Sequence, residues 1–266
     1  MAIRRPPAWR PRDIAHTVAR SARNDEEAMM TSWAEQMLND LDDAHSGDEV
    51  FRKIETAAKS LGFEYCAYGL RAPWPLSKPK TRLVNNYPAW WQKRYDEARY
   101  IEIDPTVLHA RRSALPVIWS DALFATAPQL WQEARAAGLR VGWAKAAFDS
   151  CGVGGMLTLA RSGEPITANE LAEKETRMRW LVNAAHFALK RVLMPALMDD
   201  PERGLTEREI EVLKWAADGK TSGEISKILV ISVDTVNFHV KNAVTKLKSA
   251  NKTAAVVRAA MLGLLH

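Results

Sequence analysis

The chain has 266 residues, is 47% hydrophobic and carries a formal charge of +5, enough for one medium and one small domain that each fold around their own core. No stretch is long and apolar enough to predict a membrane span. Arg4-Arg5 is followed by Pro6-Pro7-Ala8-Trp9-Arg10, not by the apolar run of an export signal. Cys66 and Cys151 have no metal-site spacing, and no disulfide can be inferred from sequence, so the composition predicts a cytoplasmic protein that does not use a membrane.

In chain order, residues 1–27 hold Arg4, Arg5, Arg10, Arg12, Arg20 and Arg23 together with Pro6, Pro7 and Pro11, which predicts a disordered basic tail. A first domain is expected over 28–194. Helical periodicity covers 32–41 and 47–61, strand-like runs cover 64–70 and 81–87, and Pro73, Pro75 and Pro79 mark the loop between them. A helix is expected over 88–99. Asp104-Pro105 has the chemistry of a helix cap and first residue for a helix to about 112, with another at 127–137. Strands over 140–147 and 153–161 come next, and Thr167 with Glu170 forms a capping box opening a helix to about 192. The sum is an antiparallel sheet flanked by helices, an α/β/α sandwich. Residues 195–203, with Asp199, Asp200 and Pro201 and no apolar stripe, read as a linker.

Residues 204–266 read as four short helices, making the whole chain α+β. Thr206 and Glu209 form a capping box, with Leu205 and Ile210 placed as a hydrophobic staple. Ile210, Leu213 and Ala217 are the expected buried stripe, ended at Asp218-Gly219. Thr221 and Glu224 repeat the box before a stripe of Ile225, Ile228 and Leu229. After a turn at Val230, Ile231 and Ser232, the third helix aligns Val236, Val240, Ala243 and Leu247. Phe238, Lys241, Asn242 and Thr245 then point away from that stripe, flanked by Asn237, His239 and Lys246. A fourth helix over 253–265 carries Val256, Val257, Ala260, Met261 and Leu264, more apolar surface than a three-helix core needs, so part of it is a candidate dimer contact.

From Lys220 onward, seven basic residues face only Glu224 and Asp234, an excess suited to phosphates. Lys246, Lys248 and Lys252 are the phosphate candidates. Asn237 and Lys241 have the donors and acceptors to read adenine or guanine edges, and Phe238 suits a thymine methyl. The order of capped helices with a basic third helix is that of a helix-turn-helix. The rival reading is a solvated helix face. In the first domain, Tyr87, Trp90, Trp91, Tyr95, Trp119, Phe124 and Trp131 accompany a single carboxylate, Asp104. They are either the lining of a pocket for an amphiphilic small molecule or aromatic core filling.

The run Leu205-Thr206, Arg208-Glu209, Glu211-Val212-Leu213, Trp215, Gly219-Lys220-Thr221-Ser222, Glu224-Ile225, Ile231-Ser232, Thr235 to Val240, Asn242, Lys246 and Asn251-Lys252 resembles the LuxR-type output domain. Asn86 to Trp91, Tyr95, Tyr100, Asp104-Pro105-Thr106, Val117 to Asp121, Ala134, Gly138-Leu139 and Gly142 resemble the autoinducer-binding domain of LuxR-type quorum-sensing receptors. The resemblance implies an N-acyl-homoserine lactone as ligand, with no cofactor and no metal. By this likeness Trp91 donates to the lactone carbonyl, Tyr87 to the amide carbonyl, Asp104 accepts the amide N–H and Thr158 lies near the amide. Trp119, Tyr95, Phe124 and Val107 wall the lactone and acyl chain. It also implies that Ser222, Thr235, Asn237, Phe238, Lys241, Asn242 and Lys246 contact double-stranded DNA.

The likeness further implies a homodimer on a palindromic promoter site, acting in the cytoplasm at the nucleoid, an activator that works with RNA polymerase. A ligand-independent or differently triggered regulator, or a repressor, remains the alternative. Asp104 has a rival role as a helix cap. The chain departs from the family in its arginine-rich tail, in bulky Trp90 and Trp143, which are expected to narrow the pocket, and in Lys252 where arginine is common. Catalysis is not expected, because the six histidines are scattered without metal spacing or a nucleophile elbow.

Overall fold

The computed structural model describes residues 30–149, 152–198 and 204–265. The expected basic tail, Cys151 and most of the expected linker lie outside them. The first domain opens with α1 (30–42) and α2 (Gly47–Ser60). Ser46 caps α2 by accepting from the Glu49 N–H, acidic Asp48 and Glu49 sit in its first turn and Lys59 in its last, each charge complementing the helix dipole. Next come β1 (Tyr65–Arg71), β2 (Thr81–Asn85), α3 (Ala89–Glu97), α4 (Pro105–Ala110), β3 (Val117–Ile118), α5 (Pro128–Ala136), β4 (Val141–Phe148), β5 (Gly154–Arg161) and α6 (Ala168–Leu197).

The described strands form one antiparallel sheet in the order β2-β1-β5-β4-β3. Alternation along each strand divides its side chains between two layers. Cys66, Tyr68 and Leu70 of β1, Leu157 and Leu159 of β5 and Trp143 of β4 join Ile54 of α2 and Leu181, Val182 and Leu189 of α6 in a closely packed core. The opposite face meets α3, α4 and α5 in a second, aromatic cluster containing Trp91, Tyr100, Phe124, Leu130 and Leu139. The α/β/α expectation holds. The short edge strand β3 was not legible in the sequence, since two residues carry no period; it is recognisable only by pairing with Trp143 and Ala144.

Two expectations for α6 change. Thr167 does accept from the Glu170 N–H, but the Glu170 carboxylate turns to Arg161 at 2.7 Å and Lys174 at 2.9 Å and not back to Thr167. Two charge-assisted bonds outcompete one to a neutral backbone N–H. The helix also passes through Pro195 to Leu197. A proline costs its own backbone donor and crowds the carbonyl four residues back, yet at this last turn the Met198 N–H still closes on the Met194 carbonyl at 3.0 Å.

The second domain consists of α7 (Glu207–Ala217), α8 (Ser222–Leu229), α9 (Val233–Lys246) and α10 (Lys252–Met261). Both capping boxes, Thr206 with Glu209 and Thr221 with Glu224, are complete. On α9, Val236, Ala243 and Leu247 are buried and Val240 packs beside them. The expected stripe on α7 is displaced: Val212 and Leu213 are buried, Ile210 is half-buried and Ala217 exposed. The cause is packing from two sides, with Leu213 against α9 and α10 and Val212 against α8 and α9. Leu205 accordingly packs with the Leu213 cluster and not as a staple on Ile210.

Ile228 is 40% exposed, since the four-residue step from Ile225 to Leu229 carries the buried line of α8. On α10 the buried residues are Ala255, Arg258 and Ala259, with Val256 half-buried and Ala260 exposed. Small alanines let this helix approach α7 and α9 closely, so the buried line sits one residue before the apolar stripe read from the sequence. Among the described residues no helix is long and apolar enough to cross a membrane.

Candidate functional site

The aromatic side of the sheet encloses a cavity of about 170 Å³ under α3, α4 and α5. Its floor is read from strand register. Asn85, Ala67 and Thr158 stand side by side on β2, β1 and β5, and the next row on the same face is Leu83, Gly69 and Met156. The first row carries two polar side chains; the second carries none. The roof comes from α3, which contributes Trp91, Gln92 and Tyr95, and from the start of α4, with Asp104, Thr106 and Val107. All eight side chains singled out as ligand contacts line this one cavity: Tyr87, Trp91, Tyr95, Asp104, Val107, Trp119, Phe124 and Thr158.

Their polar atoms divide into two groups. Asp104 is tied at both oxygens: Oδ1 accepts from the Thr106 N–H at 2.8 Å and the Thr106 hydroxyl at 2.6 Å, and Oδ2 accepts from the Tyr95 hydroxyl at 2.9 Å. The cap role is therefore real, and the same carboxylate faces the cavity. Burial pushes the Asp104 carboxyl above the usual carboxylate value, opposed by the bonds from Thr106, Tyr95 and the Val107 backbone N–H, and among the described residues no cation is paired with it. Burial, the largest cause, and the nearby Asp104 charge raise the Tyr95 hydroxyl well above its ordinary range. Tyr95 thus orients Asp104 as well as walling the cavity.

The second group has nothing to bond. The indole N–H of buried Trp91, the hydroxyl of buried Thr158 and the hydroxyl of Tyr87 have no hydrogen-bond partner among the described residues, and all three line the cavity. The Trp119 indole nitrogen, on the same cavity wall, is buried and has no partner either; unpaired polar groups shielded from water are costly, and unpaired polar groups gathered around one space suit a polar ligand.

The walls are fixed by aromatic packing. Phe124 stacks on Trp131 with ring centres 4.5 Å apart, and Trp119 stands edge-on to both. Trp119 lies flat against Gly142, where a Cβ would fall 2.3 Å from its ring; only glycine admits the indole there. Arg94 of α3 forks onto Glu133 of α5 at 2.7 and 2.8 Å, a two-pronged clamp between roof helices that holds the Glu133 carboxyl down at about 2. Neither bulky departure narrows the space. Trp90 is 54% exposed, and Trp143 is buried in the α2 and α6 core on the far side of the sheet.

A second cavity of about 110 Å³ shares Gly69, Leu83, Val107 and Met156 with the first and continues along the strands to Arg71, Phe148 and Gly154. Sequence reasoning missed this continuation, and it missed Asn85, Gln92, Leu83 and Met156 as lining. Alternation on β2 and β5 places these strand residues on the Thr158 face, a signal present in the sequence once the strand register is known.

In the second domain, the outward face of α9 carries Asn237, Phe238 and Lys241, all exposed, with Phe238 at 60%. Asn242 and Thr235 are placed beside them on the same helix; the Thr235 hydroxyl meets the Ser232 hydroxyl at 2.8 Å. Ser222 is the first residue of α8. Lys246 is the exception. Its ammonium donates to Glu209 at 2.8 Å and to the Gly204 carbonyl at 3.4 Å, which ties α9 to the capping box of α7 and turns the charge inward. Lys252 likewise lies half-buried with its ammonium 3.5 Å from the Lys220 carbonyl. Among the described residues no group of histidine, cysteine, aspartate or glutamate is arranged to hold a metal ion.

Comparison with known proteins reaches nearly the whole chain. The family described as autoinducer binding domain matches residues 46–189, and that described as bacterial regulatory proteins, luxR family, matches residues 203–259. The transcriptional activator protein AnoR of Acinetobacter nosocomialis is 43% identical over 238 residues, covering 89% of this chain and 100% of AnoR. The HTH-type quorum-sensing regulator RhlR of Pseudomonas aeruginosa is 39% identical over 233 residues, 88% of this chain and 96% of RhlR. Among solved structures, Escherichia coli SdiA superposes with a TM-score of 0.78 at 36% identity, covering 89% of this chain and 99% of that one. SdiA in complex with octanoyl-rac-glycerol gives the same TM-score, covering 89% and 96%.

Proposed function

This chain belongs to the LuxR family of bacterial regulatory proteins, as an autoinducer-binding transcriptional regulator and not an enzyme, and from that premise we propose that it senses an N-acyl-homoserine lactone and answers by binding promoter DNA as a homodimer. The observation that carries the ligand reading is the set of polar groups at Tyr87, Trp91 and Thr158, without partners among the described residues, around a cavity that also holds Asp104 and is walled largely by aromatic and aliphatic side chains. In this reading the Trp91 indole donates to the lactone carbonyl, Tyr87 donates to the amide carbonyl and Thr158 lies beside it. Asp104, already oriented by Tyr95 and Thr106, accepts the amide N–H through a remaining lone pair. Trp119, Phe124, Tyr95 and Val107 enclose the ring and the first part of the chain. The remainder of the acyl chain crosses Gly69 into the second cavity.

Ligand that binds only the folded sensor stabilises it in proportion to the logarithm of its concentration over Kd, about 2.7 kcal/mol at a hundredfold excess. That gain raises the amount of dimer competent for DNA. Two α9 helices then enter successive major grooves of a palindromic site, about one turn apart. There Asn237 and Lys241 read base edges, Phe238 meets a methyl group, and Thr235, Asn242 and the Ser222 end of α8 contact base edges or the backbone. Lys246 serves this surface from behind, holding α9 on α7. The sensor domain, the linker and the DNA-binding domain are read as residues 28–194, 195–203 and 204–266. In this reading the regulator is an activator that engages RNA polymerase at the nucleoid in the cytoplasm.

The test is mass spectrometry of ligand extracted from protein expressed with a mixture of acyl-homoserine lactones and 1-octanoyl-glycerol as competitor. A single lactone, lost in a Trp91→Phe and Asp104→Asn double variant, is the expected outcome. Well-folded wild-type protein that retains nothing makes a differently triggered regulator the better account, and retained octanoyl-glycerol replaces the lactone with an acylated glycerol. For the DNA half, Lys241→Ala should weaken operator binding about tenfold or more, as loss of a good base contact does, with ligand uptake unchanged in the same preparation; full operator affinity would remove α9 as the reading helix.

A further inference from the structure

Asn85 is one of the lining side chains that neither the family likeness nor the sequence periodicity brought forward. It stands on the cavity face of β2, in one row with Ala67 and Thr158. Its Oδ1 accepts the Tyr87 backbone N–H at 3.1 Å. That bond settles which end of the amide is which, because only the oxygen accepts. The Nδ2 group is consequently turned away from Tyr87, and it has no hydrogen-bond partner among the described residues. Its neighbour Asn86 differs: Asn86 accepts from the Cys66 N–H and donates to Glu55 and to the Glu64 carbonyl, so it is consumed in holding β2 to β1.

The floor confines polarity to a narrow band. Asn85 and Thr158 flank Ala67 at two strand spacings, roughly 9.5 Å from Cα to Cα, and the small Ala67 side chain leaves the space between them open. The next row along the strands, roughly 6.8 Å away, is Leu83, Gly69 and Met156, with no side-chain donor or acceptor. A ligand oxygen that reaches that second row finds nothing to bond, whereas one within the first few carbons of the acyl chain falls in the band that Asn85 and Thr158 bound.

Resting on the lactone reading, we propose that Asn85 is a specificity-determining residue, donating an amide N–H to an oxygen at the third acyl carbon, and that the ligand is a 3-oxygenated acyl-homoserine lactone. Acyl chains assembled by two-carbon condensation carry oxygen at that carbon. The Tyr87 hydroxyl reads the amide carbonyl, and Asn85, tethered to the Tyr87 backbone, reads the next acceptor along the chain. An unsubstituted chain leaves the Asn85 donor unpaired beside apolar surface, and it is discriminated against for that reason.

The experiment measures binding of N-octanoyl- and N-3-oxo-octanoyl-homoserine lactone to the full chain, wild type and Asn85→Asp, by ligand-dependent thermal stabilisation. Aspartate keeps the oxygen that accepts from the Tyr87 N–H and removes the donor, and Asn85→Ala is a second variant without a donor should the aspartate disturb folding. Wild type should prefer the 3-oxo ligand by about tenfold, the ratio one hydrogen bond supports. Asn85→Asp should bring that ratio to about one or below, chiefly by weakening the 3-oxo ligand. Equal binding of both ligands by wild type, or an unchanged ratio in the variants, overturns the role of Asn85 and leaves the lactone reading standing. Binding of neither by folded wild type overturns both.

Discussion

The two faces of the five-stranded sheet are built from alternate residues of the same strands, yet they do opposite things. Toward α2 and α6, side chains such as Leu157, Leu159 and Tyr68 are fully buried and the Tyr68 hydroxyl meets His186 Nδ1 at 2.7 Å. Toward α3, α4 and α5, Tyr87, Trp91 and Thr158 face open space without partners among the described residues. The first face is not free of unpaired atoms, since the Trp143 indole nitrogen and His186 Nε2 lack partners. Those atoms are sealed against packed neighbours, as is the Trp119 indole nitrogen on the cavity wall, while Tyr87, Trp91 and Thr158 border a volume that a ligand can fill. On the proposed function, stability is expected to reside on one face and ligand response on the other, so substitutions should separate them.

The largest expected effect is on the packed face. Leu159→Ala should cost about 2–5 kcal/mol of unfolding free energy, the range for a large-to-small change in a core, read by denaturant titration with and without ligand. A loss below about 1 kcal/mol would mean that this face is not the one that holds the domain. Next comes the cavity. Tyr87→Phe should weaken lactone binding about tenfold while leaving the ligand-free melting temperature unchanged or higher, because it removes a hydroxyl that has no partner in the empty protein. A large loss of ligand-free stability would contradict the division between the faces.

Asp104→Asn sharpens the same contrast through pH. Burial holds the Asp104 carboxyl above its ordinary value of 3.8, so the folded state keeps its proton longer than the unfolded one. The stability it contributes is complete below pH 3.8 and is lost as pH rises through the raised folded value. Asparagine retains an oxygen for the Thr106 N–H and carries no charge. The ligand-free variant should therefore melt at or slightly above wild type at neutral pH, with the difference vanishing in acid, while its lactone response weakens. A variant less stable than wild type at neutral pH would show that the ionised carboxylate is compensated by more than Tyr95 and Thr106.

The smallest effect lies outside the sheet. Val230, between α8 and α9, has φ 54° and is 88% exposed, a β-branched residue in a conformation that suits glycine. Val230→Gly should stabilise the DNA-binding domain by roughly 0.5–1 kcal/mol, visible in thermal unfolding, with lactone binding untouched. Destabilisation would indicate that the exposed valine contributes packing that the turn conformation does not reveal.

Short-range chemistry carried much of this molecule in readable form. Capping pairs such as Thr206 with Glu209, the stripe Val236 to Leu247, and the strands around Tyr68 and Leu157 depend on residues within a few positions of one another, so their spacing predicted them. The candidate ligand residues were legible for a different reason: Tyr87, Trp91, Asp104 and Thr158 were named by family likeness, and their convergence on one cavity came from the fold. Where a residue had competing partners, sequence reasoning ranked them wrongly. Glu170 chose two cations over its helix cap, and α7 turned to satisfy packing on two sides.

By itself the sequence determined a two-part α+β chain, the periods and caps of most helices and strands, and membership of a family that couples a sensor to a DNA-reading helix. The tertiary structure alone decided which groups are left without partners. That Asn86 is consumed in strand pairing while the adjacent Asn85 keeps a donor free, and that Trp143 lies in the core while Trp91 roofs the cavity, depends on sheet register and on contacts between residues tens of positions apart. Hydrogen-bond satisfaction and burial are sums over all neighbours in space, and the order of residues along a chain specifies only the nearest of them.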